Sequence, residues 1–289
     1  MKSCTVCVLS WNGLPYNKIL YNTLAKFTPK DIKILWGDNN STDGTVKMIE
    51  KEFPDVLLIK NKKNLGFGAA NNQGLRKAKG DYLLLLNSDT VIKNKAPLVM
   101  AQYLKNNNDV GVVGPKLLNK DESLQPSAGP FPNLKISFIM LFLEHWLGDL
   151  VRSSFKKTKE VDWVMGAAFM IKREILNKVG FMDEGLFMYM DEVEWSFRIK
   201  KAGYKVVFYP QAQITHLGGA SSRTGRKDPI LNIYRGLIYL YKKHYLEWQL
   251  PILKIMLKLK AAISYLLGLI LNNSYLKQTY AQAFKIASS

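Results

Sequence analysis

The chain has 289 residues, and its 47% hydrophobic and 22% charged content is ordinary for a folded globular protein. Its formal net charge of +18 favours an anionic partner, which leaves nucleic acid, an anionic membrane surface and a phosphorylated substrate open. The two cysteines, Cys4 and Cys7, share one apolar run, which argues against a zinc site or a thioredoxin-like motif and favours a packing role.

The amino terminus predicts a first strand rather than a signal peptide. Its apolar run is short, follows a single lysine and ends at Trp11 and Asn12. No stretch of the chain reaches the roughly 20 uncharged apolar residues that span a bilayer. We therefore expect a cytoplasmic protein.

The first 115 residues alternate short apolar runs with amphipathic stretches. This alternation predicts an α/β fold with a mostly parallel, Rossmann-like sheet and right-handed crossovers. The predicted strands are 4–10, 32–37, 56–60, 82–86 and 110–115. The predicted helices are 14–27, 45–53, 67–79 and 96–106.

Beyond residue 115 the pattern loosens. Pro126, Pro130 and Pro132 indicate a long irregular connection, typical of a functional or mobile loop, before an apolar segment at 136–150. The later predicted elements are a strand-like run at 161–171, a helix at 191–202, a strand at 204–209 that ends at Pro210, and lysine-rich helices at 228–245 and 251–271.

A predicted central strand ends at a carboxylate. The run DYLLLLNSD, residues 81–89, has four consecutive leucines, too few for an independent helix and typical of a strand buried on both faces. Ligands of open α/β sheets bind beyond the carboxyl ends of the central strands, so the run predicts Asp89 at a ligand site. The alternative, equally favoured by the strand alone, is that Asp89 caps the following turn.

Two further stretches of the first half indicate a nucleotide site. Asp38 ends the second strand, where nucleotide-binding folds hold a ribose hydroxyl or a base edge, although an Asx turn or helix cap explains it equally well. The stretch NLGFGAANNQG lets the backbone at Gly66 and Gly68 approach a ligand beside a helix N-terminus. It has Asn71 where a dinucleotide fingerprint has its last glycine, which argues against a Rossmann dehydrogenase.

Three acidic residues open the helix predicted at 191–202. Successive helical residues point about 100° apart, so at most two of Asp191, Glu192 and Glu194 face a cleft. Glu194 precedes Arg198 by four residues, a spacing typical of an ion pair, and is therefore the structural member. A carboxylate left facing the cleft is a candidate general base.

The sequence ITHLGG contains His216 directly after a predicted strand. A lone histidine is more often structural than functional, but the glycine pair behind it suits a ligand-facing loop. The basic residues Arg223, Arg226, Lys227 and Arg235 follow, and they either neutralise a diphosphate or form a solvated basic face.

These motifs occur in the order of a known family. In chain order they read VCVLSWN, DNNSTDGT, NLGFGAANNQG, LNSDT, GAAFMIKRE, FMYMDEVEWSFRIKKAGY and ITHLGG. The series resembles the family 2 glycosyltransferases of GT-A fold, most of all the bacterial rhamnosyltransferase-type branch, over most of the chain. The resemblance implies an inverting transfer from a nucleotide sugar, with dTDP-rhamnose as the first expected donor and a UDP-hexose as the second.

The resemblance also implies roles for residues of the nucleotide site. Ser10, Asn12 and Asp38 would hold the base and ribose of the donor. Asn64 and Gly66 would line the nucleotide pocket.

The run Asn87, Ser88 and Asp89 matches the family's metal motif, usually written DxD, and would contact the donor. Because Asn87 replaces the first acid, Asp89 is the main expected ligand of a divalent Mn²⁺ or Mg²⁺ ion, and metal binding is expected to be weaker than in a two-acid site. His216 matches a histidine that helps to bind the metal or the diphosphate, and Arg235 is a further basic residue expected at the diphosphate.

The catalytic pair of the family is usually Glu followed by Asp, with the second acid as the base. Here Asp191 is followed by Glu192. We therefore predict Glu192 as the general base, with a reach one methylene longer, and Asp191 as the alternative.

We expect a GT-A catalytic domain at 1–228, with a nucleotide-sugar half at about 1–115 and an acceptor half at about 116–228, followed by a basic helical extension at 229–289. The extension has eight lysines and arginines and a single acid, Glu247, among leucines and isoleucines. This pattern predicts a helix that lies in an anionic membrane surface rather than one that spans it. The alternative is packing on the catalytic domain or on a second subunit, as in a homodimer.

Membrane attachment would hold the enzyme peripherally at the inner face of the cell membrane. There it would meet a polyprenyl-linked or other glycan acceptor of cell-surface polysaccharide synthesis.

Two other functions compete with this one. A sugar-nucleotide pyrophosphorylase requires an arginine- and glycine-rich loop after the first strand, where this chain has SWNGLPYN. A non-catalytic basic membrane or nucleic-acid module leaves the ordered motifs unexplained, so we expect no nucleic-acid partner.

Overall fold

The computed structural model of the protein describes residues 4–29, 32–218 and 227–289. They form two compact units: 4–129, 153–187 and 191–218 belong to the first, and 130–152, 188–190 and 227–289 to the second. The strands are β1 (Cys4–Ser10), β2 (Lys33–Asp38), β3 (Leu57–Lys60), β4 (Tyr82–Asn87), β5 (Thr90–Ile92), β6 (Val110–Leu118), β7 (Leu124–Gln125), β8 (Ala128–Gly129), β9 (Lys159–Val161), β10 (Trp163–Val164), β11 (Ala168–Lys172) and β12 (Lys205–His216).

The helices include four that were not predicted, over residues 134–138, 144–147, 173–179 and 274–288. They are α1 (Leu14–Phe27), α2 (Thr45–Glu52), α3 (Phe67–Lys77), α4 (Ala96–Asn106), α5 (Leu134–Phe138), α6 (Glu144–Leu147), α7 (Arg173–Val179), α8 (Asp191–Lys201), α9 (Lys227–His244), α10 (Gln249–Ile270) and α11 (Ser274–Ser288). A π-helical turn at Ile139–Leu143 and a 3₁₀ turn at Gly148–Leu150 flank α6.

The first unit is built on a mixed sheet in the order β3-β2-β1-β4-β11-β6-β12-β5. The first four strands of the chain pair in parallel and are joined by α1, α2 and α3, as the alternation predicts. β11 then enters between β4 and β6, antiparallel to both. The α/β class is therefore confirmed, and the sheet is mixed because a strand from the later half of the chain pairs near its centre.

The leucine run of β4 is buried on both faces, as predicted. Leu84 and Leu86 pack into one core together with side chains of α1 and α4. Leu83 and Leu85 pack into a second core with side chains of α3 and α8. Full burial of one leucine contributes roughly 1.5–3 kcal/mol, so this strand anchors both layers of helices.

Cys4 and Cys7 form no disulfide and are buried in opposite cores of the sheet. Burial raises the pKa of the Cys7 thiol to about 12, so it stays protonated and unreactive at neutral pH. The packing role predicted for both cysteines is confirmed.

The sequence predicts the end of a strand at Pro210, but β12 continues to His216. Its register against β6 shifts between Tyr209 and Gln213, and this bulge accommodates a proline that has no N–H to donate to the ladder. The longer strand pairs His216 with Thr90 of β5. The histidine therefore ends a strand instead of lying in a loop.

The second unit has a core of its own, formed by α9, α10, α11 and the segment 134–150. Asn273 caps α11 by accepting a hydrogen bond from the Leu276 N–H at 3.1 Å. Among the described helices, none combines the length and the apolar character needed to cross a membrane. The predicted functional boundary at residue 228 stays a prediction.

Candidate active site

The residues predicted to bind a donor follow the carboxyl ends of three parallel strands. Ser10 of β1 is the register partner of Asp38 in β2, and Leu9 is the register partner of Asn87 in β4. Parallel neighbours end at the same edge of a sheet, so the three following loops begin side by side. The structure thus brings the base and ribose candidates next to the metal motif.

One carboxylate oxygen of Asp38 builds the turn after β2. Its Oδ2 accepts a hydrogen bond from the Ser41 N–H at 2.9 Å, as in the predicted Asx turn. Its Oδ1 is buried and has no hydrogen-bond partner among the described residues. A buried acceptor without a donor costs free energy, so Oδ1 is available to a bound hydroxyl or N–H group.

Asn12 joins the loops that follow β1 and β2. Its backbone has a φ of 51°, and its Oδ1 accepts from the Thr42 N–H at 2.8 Å. Its own N–H donates to Ser41 Oγ at 2.8 Å. Ser10 Oγ is also used within the protein, since it donates to Asn17 Oδ1 at 3.1 Å. Both residues shape this edge, and their contacts with a donor stay predictions.

Asn39 is a buried residue of the site that has no distinctive sequence signal. Its Nδ2 donates to Asn64 Oδ1 at 2.7 Å and to the Gly66 carbonyl at 3.2 Å, while its Oδ1 accepts from the Leu65 N–H at 2.9 Å. It therefore ties the loop after β2 to the loop after β3. The sequence places Asn39 beside Asp38 in a turn with several other polar residues, and nothing in the sequence distinguishes it from them.

Gly66 leaves room for another part of the chain. It has a φ of 84°, and a Cβ at this position would lie 2.3 Å from the Phe187 carbonyl oxygen. The Phe67 N–H donates to the same carbonyl at 2.7 Å. The close approach at this glycine is thus made by the loop before α8, and the contacts of Asn64 and Gly66 with a nucleotide stay predictions.

Asp89 and His216 lie together beyond the end of β4. Asp89 is only 4% exposed, and its Oδ1 is 3.3 Å from His216 Nε2. The described residues contain no group of three or more His, Cys, Asp or Glu side chains that could hold a metal ion. One carboxylate and one imidazole suit a divalent cation such as Mn²⁺ that completes its coordination with oxygens of a ligand and water. The two predicted metal ligands therefore fit such an ion.

Backbone hydrogen bonds hold the chain just before Asp89. The Asn87 N–H donates to the Ala167 carbonyl at 3.0 Å, and the Ser88 N–H donates to the Leu9 carbonyl at 3.2 Å. Ser88 is buried and Asn87 is half-buried. These bonds fix the direction in which Asp89 leaves the strand, and direct donor contacts of Asn87 and Ser88 stay predictions.

The acidic residues of α8 lie in different surroundings. Glu194 is buried and its Oε2 is 2.9 Å from Arg198 Nη2, so the predicted structural ion pair is confirmed. Glu192 is half-buried, and its Oε1 accepts a hydrogen bond from the Gly166 N–H at 3.4 Å.

Asp191 is fully buried, and neither of its carboxylate oxygens meets the geometry of a hydrogen bond to the described residues. Burial raises the pKa of Asp191 well above its usual range, and the charge of Glu192 raises it further. The amides of Asp191 and Gly68 offset only part of this effect. Asp191 therefore favours its protonated form, which is not a base.

Of the predicted basic residues, the structure describes the side chain of Arg235 alone. Arg235 belongs to α9 in the second unit, where its Nη1 donates to Asn232 Oδ1 at 3.1 Å. Arg223 and Arg226 lie outside the described residues, as does the side chain of Lys227. Their contact with a diphosphate stays a prediction.

Two sequence comparisons both match this chain to glycosyltransferases. The family model described as "Glycosyl transferase family 2" matches residues 5–193. The N-acetylglucosaminyl-diphospho-decaprenol L-rhamnosyltransferase of Mycobacterium tuberculosis is 25% identical over 269 residues, which cover 86% of this chain and 87% of that protein.

Solved structures resemble the fold. The mannosyltransferase PcManGT from Pyrobaculum calidifontis, in complex with GDP-Man and Mn²⁺, has a TM-score of 0.58 at 19% identity and covers 98% of this chain and 85% of its own. TarS 1-349 of S. aureus, in complex with UDP-GlcNAc, has a TM-score of 0.59 at 21% identity and covers 97% of this chain and 79% of its own. At such identities the likeness shows the fold alone, and the expected GT-A architecture is confirmed.

Proposed function

This chain belongs to glycosyl transferase family 2 and is a glycosyltransferase, and we propose that it moves L-rhamnose from dTDP-rhamnose to a hydroxyl of a lipid-linked glycan. The observation that carries the proposal is the pair of Asp89 Oδ1 and His216 Nε2, 3.3 Å apart beyond the end of β4. A nucleoside diphosphate leaves with negative charge, so its departure requires positive charge held beside the nucleotide pocket. A carboxylate and an imidazole at this separation suit a bound cation that would supply this positive charge.

The pocket edge supports binding of the nucleoside half of the donor. The unpaired Oδ1 of Asp38 would accept a hydrogen bond from a ribose hydroxyl or a base N–H. Asn39 holds the neighbouring loops in place through its bonds to Asn64 and Gly66. Rigid support of this kind reduces the entropy lost when a ligand binds.

Asp89 and His216 would hold a Mn²⁺ or Mg²⁺ ion, which when bound would offset the charge that develops on the diphosphate. His216 lies at the end of β12, which pairs with β5 at this residue. Its ring would fix the direction of the Asp89 carboxylate. With a single carboxylate in the motif, we expect weaker cation binding than a two-acid site provides.

Glu192 would remove the proton from the attacking hydroxyl of the acceptor. Its carboxylate is half-buried and accepts a hydrogen bond from the Gly166 N–H, which helps to orient it for proton transfer. The neighbouring Asp191 favours its neutral form, which avoids a second negative charge beside the base. Direct attack on the sugar opposite the leaving group then inverts the anomeric carbon in one displacement.

The proposals for the donor sugar and for the acceptor rest on the Mycobacterium tuberculosis relative. Its name combines an L-rhamnosyltransferase activity with an N-acetylglucosaminyl-diphospho-decaprenol acceptor, and it matches this chain over most of both lengths. We therefore extend a rhamnosyl donor and a polyprenyl-diphosphate acceptor to this protein, at an anionic membrane surface. A UDP-hexose is the second candidate donor, because TarS binds UDP-GlcNAc on a similar fold.

A donor panel tests the proposal. The protein is incubated with Mn²⁺, an N-acetylglucosaminyl-diphospho-polyprenol and each of dTDP-rhamnose, UDP-glucose, UDP-GlcNAc and GDP-mannose, and the released nucleoside diphosphate is measured. We expect the fastest release from dTDP-rhamnose. Asp89→Asn should lower that rate by about 100-fold, the usual cost of losing a group that stabilises developing charge. Asp55→Asn, at an exposed aspartate before β3, is the matched control and should have no effect.

Three results would contradict parts of the proposal. Preference for a GDP-sugar would exclude dTDP-rhamnose as the donor. Full activity in the presence of a chelator would exclude the role of a divalent cation. Formation of a nucleotide sugar from a sugar phosphate and a nucleoside triphosphate, without transfer, would favour a pyrophosphorylase.

A further inference from the structure

A chain of hydrogen bonds leads from the β6–β7 hairpin to the ring of His216. Gln125 of β7 has its Oε1 2.8 Å from His216 Nδ1. Its Nε2 donates to Asn119 Oδ1 at 2.9 Å and to the His216 carbonyl at 3.3 Å. Asn119 Nδ2 in turn donates to the Leu124 carbonyl at 3.3 Å.

The partners of the two amides fix the direction of this chain. Carbonyl oxygens accept hydrogen bonds and never donate, so the NH₂ group of Asn119 must face the Leu124 carbonyl. For the same reason the NH₂ group of Gln125 must face Asn119 Oδ1 and the His216 carbonyl. Turning the Gln125 amide over would set its oxygen against both of these acceptors. Gln125 Oε1 is therefore an acceptor, and His216 Nδ1 carries the hydrogen.

The position of this hydrogen decides whether the ring nitrogen that faces Asp89 carries a lone pair or a hydrogen. A neutral imidazole with its hydrogen on Nδ1 has its lone pair on Nε2, and Nε2 lies 3.3 Å from Asp89 Oδ1. Two acceptors at this separation repel each other unless a proton or a metal ion lies between them, so the acceptor at Nδ1 must hold the hydrogen there against the attraction of Asp89 for an Nε2–H. In the opposite tautomer the Nε2–H would donate to Asp89, and the ring would offer no lone pair to a metal ion there.

We propose that Gln125 is a positioning residue that fixes His216 in the tautomer whose Nε2 lone pair faces Asp89. The relevance of this tautomer to cation binding rests on the proposed function. Gln125 is itself well held, because its carbonyl accepts from Ser154 Oγ at 2.7 Å and β7 pairs with β6 at Leu117. An acceptor on the far ring nitrogen orients a metal-binding histidine and increases its basicity.

Ring ¹⁵N NMR of the metal-free, full-length protein reads the tautomer directly, at a pH where the ring is neutral. The chain has three histidines, and His216→Asn identifies the signals in question. The wild type should show Nδ1 protonated and Nε2 unprotonated. Gln125→Leu removes the acceptor and should shift the ring toward the Nε2–H form. Gln125→Glu keeps an acceptor and should restore the wild-type signals.

Mn²⁺ binding measures the consequence without any turnover. Free Mn²⁺ is followed by electron paramagnetic resonance in the presence of dTDP. Gln125→Leu should weaken binding by about 10- to 100-fold, the range typical of a lost partner behind a metal ligand. Gln125→Glu should bind at least as tightly as the wild type. Gln102→Leu, at a glutamine of α4 whose side chain donates to Asn106 Oδ1, is the matched control and should change neither readout.

The two readouts separate this inference from the proposed function. If His216 keeps its hydrogen on Nδ1 in Gln125→Leu, the inference is overturned, whatever happens to Mn²⁺ binding. If the tautomer follows residue 125, the inference is supported. A wild type with the expected tautomer that binds no Mn²⁺ would overturn the metal-dependent function and leave the role of Gln125 intact. If Gln125→Leu has a lower melting temperature than the wild type, Gln125→Met, whose side chain is closer in shape to glutamine, serves for the same test.

Discussion

Asp191 and Glu192 are adjacent in the chain, yet they have different surroundings. Asp191 is enclosed in the protein, and burial raises its pKa. Glu192 is half-buried and accepts a hydrogen bond from the Gly166 N–H. A general base must be charged before it takes a proton, and the raised pKa of Asp191 disfavours its charged form. This difference supports the proposed role of Glu192 as the base.

Replacing Glu192 should therefore remove transfer while leaving donor binding intact. We expect Glu192→Gln to lower the rate of rhamnosyl transfer by about 100-fold or more, because a missing general base usually costs this much. The affinity for dTDP-rhamnose, measured by calorimetry, should stay within about twofold. Glu174→Gln, at an exposed glutamate of α7, is the control. Loss of transfer in Asp191→Asn, with full transfer in Glu192→Gln, would reverse the two roles.

Asp191→Asn should raise the melting temperature at neutral pH. The native pKa of Asp191 lies above the unfolded value of about 4, so the native state keeps a proton that the unfolded state has released. The stability contributed by Asp191 is therefore full below that unfolded pKa and is lost as the pH rises through the native pKa. Asparagine does not ionise, so the gain of the variant over the wild type should grow with pH.

Thermal unfolding of both proteins between pH 4 and pH 8 measures this gain, with Asp55→Asn as the exposed control. A difference in melting temperature that stays constant across this range would contradict the raised pKa of Asp191. So would a variant that is less stable than the wild type at pH 8.

At the level of elements, α10 exposes an apolar stripe in the second unit. Its members are spaced three or four residues apart, which places them on one side of the helix. The stripe consists of Ile252, Ile255, Leu259, Ile263, Leu266 and Ile270, all exposed. The opposite side of α10, including Leu253 and Leu257, is buried in the core of the unit. The stripe is therefore not needed for packing within the unit.

Lysines flank this stripe on both sides. At about 100° per residue, Lys258 lies to one side of it and Lys260 to the other. Lysines beside an apolar stripe suit an interface with anionic headgroups, where each basic residue contributes about 1 kcal/mol. Trp146 of α6, in the same unit, is 73% exposed, and tryptophan is enriched at membrane surfaces.

Charging the stripe should release the protein from membranes. We expect the full chain to float with vesicles containing anionic lipid at low salt and to be released at high salt. Ile255→Asp with Ile270→Asp should prevent flotation, because both positions would place a charge in the apolar layer. Ile19→Asp, at an exposed isoleucine of α1 in the first unit, is the matched control and should float like the wild type.

Substitutions are preferable to a truncation near Tyr245, because α9 and α10 share one core that a truncation would open. Lys258→Glu with Lys260→Glu should also weaken flotation, whereas Lys62→Glu with Lys63→Glu, in an exposed loop of the first unit, should not. A wild type that stays at the bottom of the gradient would exclude membrane binding. If it also elutes as a dimer that Ile255→Asp dissociates, the stripe is a subunit interface.

At the scale of the whole molecule, the chain passes into the second unit for three residues directly before the two candidate catalytic acids. These residues are 188–190, and the chain returns to the first unit at Asp191. Tyr189 and Met190 have φ values of 67° and 65°, a region that L-residues rarely adopt and that is held only by surrounding structure. In the second unit, α9 supplies that support: a Cβ at Gly236 would lie 2.8 Å from Met190 Cγ. Within the second unit, α9 thus packs closely against Met190.

The sequence by itself determined the features that depend on neighbours in the chain. The alternation of strands and helices, the burial of the β4 leucines and the ion pair of Glu194 with Arg198 were all predicted correctly. Each of these depends on residues within one strand or one helical turn, so the spacing of residue types is sufficient to predict it. The ordered motifs predicted the family for the same reason, since each motif occupies one loop or one element.

Only the tertiary structure decided how distant residues meet and how deeply each is buried. The family resemblance assigned Asp89 and His216 to one metal site, and the structure shows that they meet because β12 continues past Pro210. Gln125, which no sequence pattern indicated, reaches that histidine from a hairpin 91 residues away. The space at Gly66 is filled by a carbonyl from a loop far along the chain. Such contacts leave no local periodicity, because they depend on how packed elements bring their loops together. The pKa of Asp191 is likewise a property of enclosure and of neighbouring charge, neither of which is encoded by its residue type.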